Sequence, residues 1–207
     1  MSYLTVIEEN TAEYAEKRSR FIATLRHCET EEELAKFLEE MRSKYWDARH
    51  NCYACSVEKG KICRFSDDGE PHGTAGKPML DIILGSGVTD IAVVVTRYFG
   101  GVLLGTGGLV RAYSTATRDV LKTAKVVEMV ECTLYKTVCE YSDLQRLEAL
   151  IVSCGGKLEK NDFADKVSVY YSLKNELVDA FLPKLVETFS ARLTAEEVEK
   201  TITAFEI

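Results

Sequence analysis

The sequence predicts an α+β protein with two domains, and three observations support that class. The chain has 207 residues, of which 46% are hydrophobic, so it can bury one large core or two small ones. In its first part, a β-branched run at residues 91–96 is followed by a glycine-rich loop and by apolar residues at helical spacing. Further along, the pattern restarts as strand, helix, two strands, helix and strand, the order of a ferredoxin-like domain. We therefore place the domains at residues 1–130 and 131–207.

Two strands and a helix are predicted near the beginning of the chain. Residues 3–7 and 21–25 alternate between apolar and polar side chains, which predicts a hairpin around the polar stretch 8–20. The residues from Thr30 to Glu33 form a capping box, in which a hydroxyl and a carboxylate satisfy free N–H groups at the start of a helix. The apolar positions after this box share one helical face, namely Leu34, Phe37, Leu38, Met41 and Tyr45.

The central part of the chain predicts a second hairpin, a shaped loop and a buried strand. Residues 51–57 and 61–65 flank a short turn and form the hairpin. The stretch 66–78 contains three glycines and two of the three prolines, so we expect its backbone to adopt one defined conformation rather than many. A helix is predicted over residues 79–84, and the strand at residues 91–96 should be covered on both faces.

The second domain is predicted from the same kinds of pattern. Its strands cover residues 133–141, 157–163, 166–173 and 201–207. The residues from Ser142 to Gln145 form a capping box for a helix that ends near Gly155. Residues 175–189 form a second helix, which Pro183 should kink or split because proline lacks an N–H group and its ring crowds the preceding turn.

Composition and charge exclude several classes of function. No run of about 18 apolar residues could span a membrane, and the first residues lack a signal-peptide layout, so we expect a cytoplasmic protein that binds no membrane. Seven cysteines follow no disulfide rhythm and are expected to be mostly reduced. The net charge of −7 argues against a protein that coats nucleic acid nonspecifically, but it is compatible with a local basic groove.

The glycine-rich segment offers a place for an anion. Gly105, Gly107 and Gly108 open a predicted helix, where free N–H groups and the helix dipole favour a phosphate. Arg97 follows the buried strand and Arg111 falls in the predicted first turn of the helix, so both guanidinium groups come near this place if the loop folds back. The segment matches neither nucleotide-binding glycine fingerprint. The alternative is that the glycines serve loop packing alone.

Three carboxylates lie close together in the shaped loop. Asp67, Asp68 and Glu70 stand beside His72, and His50 precedes the hairpin strand. Such a set can bind Mg²⁺ or act as a general acid and base. The alternative, which we favour, is that Asp-Asp-Gly makes a turn through hydrogen bonds from its side chains to the backbone.

The cysteines supply ligand types for zinc without the matching geometry. His50, Cys52, Cys55 and Cys63 could each bind zinc, but Cys52 and Cys55 should point to opposite faces of one strand. No glycine turn brings them together, so we predict no metal site.

The chain also has no Gly-x-Ser-x-Gly nucleophile motif, and we predict no cofactor and name no catalytic residue.

Two long motifs resemble those of the IMPACT family in its bacterial YigZ-type form. They run from Asp67 to Leu80 and from Val93 to Tyr113, and the stretches 17–21 and 47–52 are similar to earlier motifs of that family. The resemblance covers residues 1–130. At His72 the family pattern usually has serine.

This resemblance implies a fold for each domain and a biological process in which the protein acts. It implies that the first domain adopts the ribosomal protein S5 domain 2-like α/β sandwich, and that the second is similar to the ferredoxin-like last domain of elongation factor G. In eukaryotic relatives the family regulates translation under amino-acid starvation by competing for a ribosome-associated activator of a stress kinase. Those relatives use an extra partner-binding domain, so that partner is not carried over.

We expect a noncatalytic regulator that binds RNA, the ribosome or a translation protein. The predicted binding residues are His50, Asp67, Asp68, Glu70, Thr74, Lys77, Arg97, Gly105, Gly107, Gly108 and Arg111, with Lys17, Arg18 and Arg20 as further candidates. One alternative is a nucleotide- or phosphate-binding protein or a Mg²⁺-dependent hydrolase that uses residues 67–70. Another is a protein-interaction module whose acidic second domain docks onto a basic partner.

Overall fold

The computed structural model describes residues 2–206, which form two compact units. Residues 3–127 make up the first unit, and residues 128–206 together with Ser2 make up the second. The described residues contain two β-sheets and five α-helices. The predicted α+β class is therefore confirmed.

The first unit contains five whole strands, the strand β1 except for its first residue, and three helices. The strands are β1 (Ser2–Val6), β2 (Asn10–Glu16), β3 (Ser19–His27), β4 (His50–Val57), β5 (Ile62–Ser66) and β6 (Ile91–Tyr98). The helices are α1 (Glu31–Lys44), α2 (Gly76–Ser86) and α3 (Thr106–Thr123). Five strands pair antiparallel in the order β2-β3-β6-β4-β5.

The sheet of the first unit is covered by helices on both faces. Val93 and Val95 of β6 belong to the core shared with α2 and α3, whereas Ala92 and Val94 belong to the core shared with α1. Because successive side chains of a strand point to opposite faces, an unbroken apolar run satisfies both cores at once. The prediction that this strand is covered on both faces is confirmed.

The start of α1 also agrees with its prediction. The Thr30 hydroxyl accepts a hydrogen bond from the Glu33 N–H at 3.2 Å, as a capping residue does. The Glu33 carboxylate accepts from the N–H of Glu29 at 2.7 Å, one residue earlier than in the standard capping box. Leu34, Phe37 and Met41 are buried, which is the face that the apolar spacing indicates.

The two strands predicted for the first hairpin are present as β1 and β3, but the prediction that they pair with each other was wrong. The polar stretch is itself the strand β2, which pairs with β3 and places Tyr14 opposite Phe21. Leu4 of β1 instead makes a parallel bridge to Val88. Because β2 lies at the edge of the sheet, only Ala12 and Tyr14 pack against the core, and the rest of the strand is polar except for the exposed Ala15, so no alternation is evident in the sequence.

The second unit has the ferredoxin-like order of elements. They are β7 (Val126–Cys139), α4 (Tyr141–Ser153), β8 (Lys157–Phe163), β9 (Val167–Lys174), α5 (Val178–Thr188) and β10 (Glu196–Glu206). β10 pairs with β7, β7 with β9, and β9 with β8, so the two central strands are the first and third of the domain. The helices pack against one face through a core that includes Leu147, Phe181 and Leu185.

One local prediction in the second unit was wrong, and of the kink or split expected at Pro183 the split does not occur. α4 begins at Tyr141 and its capping position is Glu140, without a side-chain hydrogen bond, so the box at Ser142–Gln145 does not form. Pro183 lies inside α5 without splitting it, because packing of the helix outweighs the one backbone hydrogen bond that proline removes.

Ile207, the predicted end of the last strand, lies outside the described residues. No helix found between residues 2 and 206 is long and apolar enough to cross a membrane.

Candidate nucleic-acid interface

Four connections of the first unit meet at one end of its sheet. Arg20 at the start of β3 lies opposite Tyr98 at the end of β6, and His50 at the start of β4 lies opposite Arg97. In the first hairpin, the end of β2 pairs with the start of β3. In the second hairpin, the end of β5 pairs near the start of β4. The connections at this end are residues 17–18, 45–49, 67–75 and 99–105.

The loop 67–75 is shaped by the side chain of Asp67. Its carboxylate accepts hydrogen bonds from the backbone N–H groups of Gly73 at 2.8 Å, Gly76 at 2.8 Å and Ala75 at 3.0 Å. Gly76 is the first residue of α2, so this carboxylate occupies the place where a helix start would attract an external anion. Burial alone raises the pKa of Asp67, but the three N–H groups and nearby His72 outweigh burial and hold it below its ordinary value.

We expect Asp67→Asn to lower the free energy of unfolding by about 1.5–3 kcal/mol at pH 7, because the amide carries no charge and accepts through one oxygen, whereas the carboxylate accepts through both. A carboxylate with a lowered pKa stabilises the fold above its unfolded pKa of about 3.9, and this contribution disappears as pH falls through the folded value. Urea unfolding from pH 7 to pH 3 should therefore show the two proteins converging.

The matched control is Asp81→Asn, which removes an exposed carboxylate that pairs with Lys77. An exposed pair within one helix contributes little, so this variant should stay within about 1 kcal/mol of the parent at every pH. A deficit of Asp67→Asn that does not change with pH would contradict the role assigned to its charge.

The other loop residues also hold the backbone in place. The Asp68 carboxylate accepts from the N–H of Asn51 at 2.7 Å, and the Asp68 carbonyl lies 2.8 Å from Nδ1 of His50. The Thr74 hydroxyl donates to the Pro71 carbonyl at 2.7 Å. These contacts agree with turn formation by the Asp-Asp-Gly sequence, the reading favoured above.

Glu70 and Arg97 form a buried ion pair beneath this loop. The Arg97 Nη1 donates to the Glu70 carboxylate at 2.6 Å, and the side chains are 8% and 3% exposed respectively. The Tyr113 hydroxyl donates to the same carboxylate oxygen at 2.8 Å, and the Cys52 Sγ lies 3.4 Å from that hydroxyl. Burial raises the pKa of Cys52 to about 12, so this thiol stays protonated.

The pair corrects the expectation that Arg97 and Glu70 face a ligand. The Arg97 guanidinium lies 5.5 Å from the ring centre of Phe21 and 5.6 Å from that of Phe99, and its Nε has no hydrogen-bond partner among residues 2–206. Residue spacing in the sequence could not indicate that Arg97 and Glu70 are buried. Each charge can be buried only because the other charge neutralises it. Arg97 and Glu70 therefore connect the loop to the core.

The glycine-rich segment leads into α3 as predicted, but Arg111 lies elsewhere than expected. Gly105 precedes the helix with a positive φ of 72°, and no side chain caps the helix start. Because α3 begins at Thr106, Arg111 falls in its second turn rather than its first. It lines a hollow of about 350 Å³ with Tyr14 and Arg118, whereas Arg97 is buried, so the two guanidinium groups do not share one environment.

Two exposed aromatic rings and three exposed cations lie in the connections at this end of the sheet. Trp46 is 83% exposed and Phe99 is 51% exposed, and Lys17, Arg18 and Arg49 are also exposed. We call the sheet-end surface the set formed by Lys17, Arg18, Arg20, Trp46, Arg49, Tyr98 and Phe99.

Contacts between the connections fix the loops that carry the sheet-end surface. The Tyr98 hydroxyl donates to the Asp47 carboxylate at 2.8 Å, and the Arg20 guanidinium lies 5.9 Å from the centre of the Tyr98 ring. The Gly100 N–H donates to the Ser19 hydroxyl at 3.2 Å, which fixes the loop after β6 against the β2–β3 turn. Sequence reasoning missed Trp46 and Phe99, although the only tryptophan of the chain stands among charged residues, which is a usable signal.

The prediction that Cys52 and Cys55 point to opposite faces of β4 is confirmed. Cys52 lies in the core on the α2 and α3 side, and Cys55 lies in the core on the α1 side, so they point to opposite faces. Over residues 2–206, no group of three or more His, Cys, Asp or Glu side chains is arranged to hold a metal ion. All seven cysteines are free thiols.

Comparisons with known proteins place this arrangement in a family. The Impact N-terminal domain matches residues 17–121, and the chain is 40% identical to IMPACT family member YigZ of Escherichia coli K12 over 95% of each chain. This chain belongs to the IMPACT family. Its relative YvyE, an IMPACT family member from Bacillus subtilis, is 34% identical over 97% of this chain and 93% of YvyE.

Further comparisons cover the second unit and the whole IMPACT chain. A domain of unknown function, DUF1949, matches residues 137–192. A crystal structure of a hypothetical protein has a TM-score of 0.62 and 39% identity, and the match covers 96% of this chain and 98% of that one. The match to the IMPACT N-terminal domain begins at Lys17 and contains every residue of the sheet-end surface.

Proposed function

We propose that this IMPACT-family chain is a noncatalytic regulator of translation in the cytoplasm, which binds single-stranded RNA at the sheet-end surface. The observation that carries the proposal is the placement of three exposed cations beside two exposed aromatic rings. Among the described residues, Lys17, Arg18 and Arg49 form no ion pair, so their charges are free to meet phosphates. Trp46 and Phe99 offer faces on which bases can stack.

Charge distribution supports binding on the first unit rather than the second. Residues 131–207 hold 9 basic and 14 acidic residues, a net charge of −5, whereas residues 1–130 hold 17 and 19, a net charge of −2. Much of the acidity of the first unit near this surface is already neutralised, because Glu13 pairs with Arg20 and Glu70 with Arg97. An RNA backbone is therefore repelled less at the sheet end.

The state of the loop carboxylates favours binding over hydrolysis. A Mg²⁺ ion needs several oxygen ligands that are free to face it. Asp67 instead accepts three backbone N–H groups, Asp68 accepts one, and Glu70 is buried against Arg97. The hydrolase alternative would require these contacts to break first.

We expect the double substitution Lys17→Ala/Arg18→Ala to weaken binding of a single-stranded oligouridylate and to flatten its salt dependence. Each phosphate contact on single strands contributes about −0.7 to the slope of log affinity against log salt, so the slope should fall by about 1.4 in magnitude. Quenching of the fluorescence of Trp46, the only tryptophan, measures affinity and reports that bases reach this surface.

The control is Lys36→Ala/Lys184→Ala, which removes two exposed cations from α1 and α5 and changes the net charge equally. Its salt slope should match that of the parent protein. The proposal is abandoned if the parent binds no RNA, or if the control and the test variant lose equal affinity.

A further inference from the structure

A hollow that the proposed RNA-binding surface does not use lies between α2 and α3. Its volume is about 520 Å³, within the range of small-molecule sites. The apolar side chains that line it include Leu4, Val88, Leu121 and Val126. Val88 belongs to the buried core, and the other three are partly buried side chains packed against that core. The floor of the hollow is therefore apolar and anchored to the folded interior.

Two cations stand at the rim of this apolar floor. Arg118 and Lys122 lie four residues apart on α3, about 6 Å along the helix axis, and both are exposed. In the part of the chain that the structure describes, neither forms an ion pair. The one carboxylate at the rim, Asp81, already pairs with Lys77. The hollow therefore combines an apolar floor with positive charge that lacks a partner.

We propose that this hollow binds a small amphiphilic anion, a molecule with an apolar body and one carboxylate or phosphate group. The apolar floor alone would accept a neutral molecule equally well, and the cations alone would accept inorganic phosphate. Only a ligand with both features buries the floor and pairs with Arg118 and Lys122. The site shares no residue with the sheet-end surface, so it stands whether or not RNA binds there.

Calorimetric titration of the full chain with straight-chain fatty acids tests this site. Octanoate should bind more tightly than hexanoate, by about fourfold for each added methylene, because each CH₂ group leaves water. Arg118→Ala/Lys122→Ala should weaken octanoate at least tenfold and leave octanol unchanged. Octyl phosphate should bind as octanoate does, whereas inorganic phosphate should bind much more weakly.

Gly85 provides a variant that fills the hollow without straining the fold. It lines the hollow, and a Cβ added there meets nothing within 4 Å. Gly85→Leu should abolish octanoate binding, and Gly85→Ala, which makes the same change to the helix backbone, should retain it. The proposal is overturned if octanoate does not bind, if Gly85→Leu binds it as well as Gly85→Ala does, or if octanol and octanoate bind equally and respond alike to loss of the two cations.

Discussion

Replacing Arg97 by methionine is expected to lower the free energy of unfolding by about 3–5 kcal/mol, one of the two largest effects in this chain. Methionine fills much of the same space, but it leaves the Glu70 carboxylate buried without a cation. That carboxylate is 3% exposed and would keep only the Tyr113 hydroxyl as a donor. Urea unfolding followed by circular dichroism measures the loss.

The double variant Arg97→Met/Glu70→Gln separates charge from packing. It removes both charges and leaves an amide oxygen that can accept the hydrogen bond from Tyr113. It should therefore be more stable than Arg97→Met alone, although a second residue has been changed. Equal stability of the single and double variants would show that lost packing, not the unpaired carboxylate, causes the effect.

Gly100→Ala should destabilise the first unit by more than about 3 kcal/mol, above the usual cost of overpacking. A Cβ at this position would lie 2.0 Å from the Arg18 carbonyl carbon, 2.2 Å from its oxygen and 2.4 Å from the Ser19 nitrogen. All three are backbone atoms, so no side-chain rotation relieves the clash. Thermal unfolding and the RNA titration should both respond, because the β2–β3 turn carries Lys17 and Arg18.

Gly107→Ala is the matched substitution in the same glycine-rich segment. Gly107 lies in α3, and a Cβ added there meets nothing within 4 Å. Alanine is the better helix former by about 0.5–1 kcal/mol, so this variant should be as stable as the parent or slightly more so. If both glycine variants lose stability equally, flexibility of the segment rather than close packing at Gly100 explains its glycines.

Elements with a strong local pattern were predictable from the sequence. Residues 91–95 of β6 are apolar at every position because two cores need them, and α1 carries its own start signal at Thr30. The edge strand β2 was not predictable in this way, since Ala12 and Tyr14 are the only apolar contacts that it makes with the core. Pattern reasoning works where burial is complete and fails where one face is open.

The candidate site was predictable only in part, for a related reason. The turn chemistry of Asp67 and Asp68 is local, and residue types alone indicated it. The pair between Glu70 and Arg97 joins residues 27 positions apart, and its burial depends on the completed fold. Exposure decides the roles proposed for Trp46 and Phe99, and spacing in the sequence carries no information about exposure.

The strand order of the first sheet has a consequence for how a newly made chain folds. β6 lies between β3 and β4, although it is the last strand of that sheet in the sequence. During synthesis from the N-terminus, the β2–β3 and β4–β5 hairpins can form early but have no common partner until β6 appears. For that interval, apolar residues such as Phe21 and Leu25 have no β6 beside them. The nascent protein is therefore most prone to aggregation just before its central strand is synthesised.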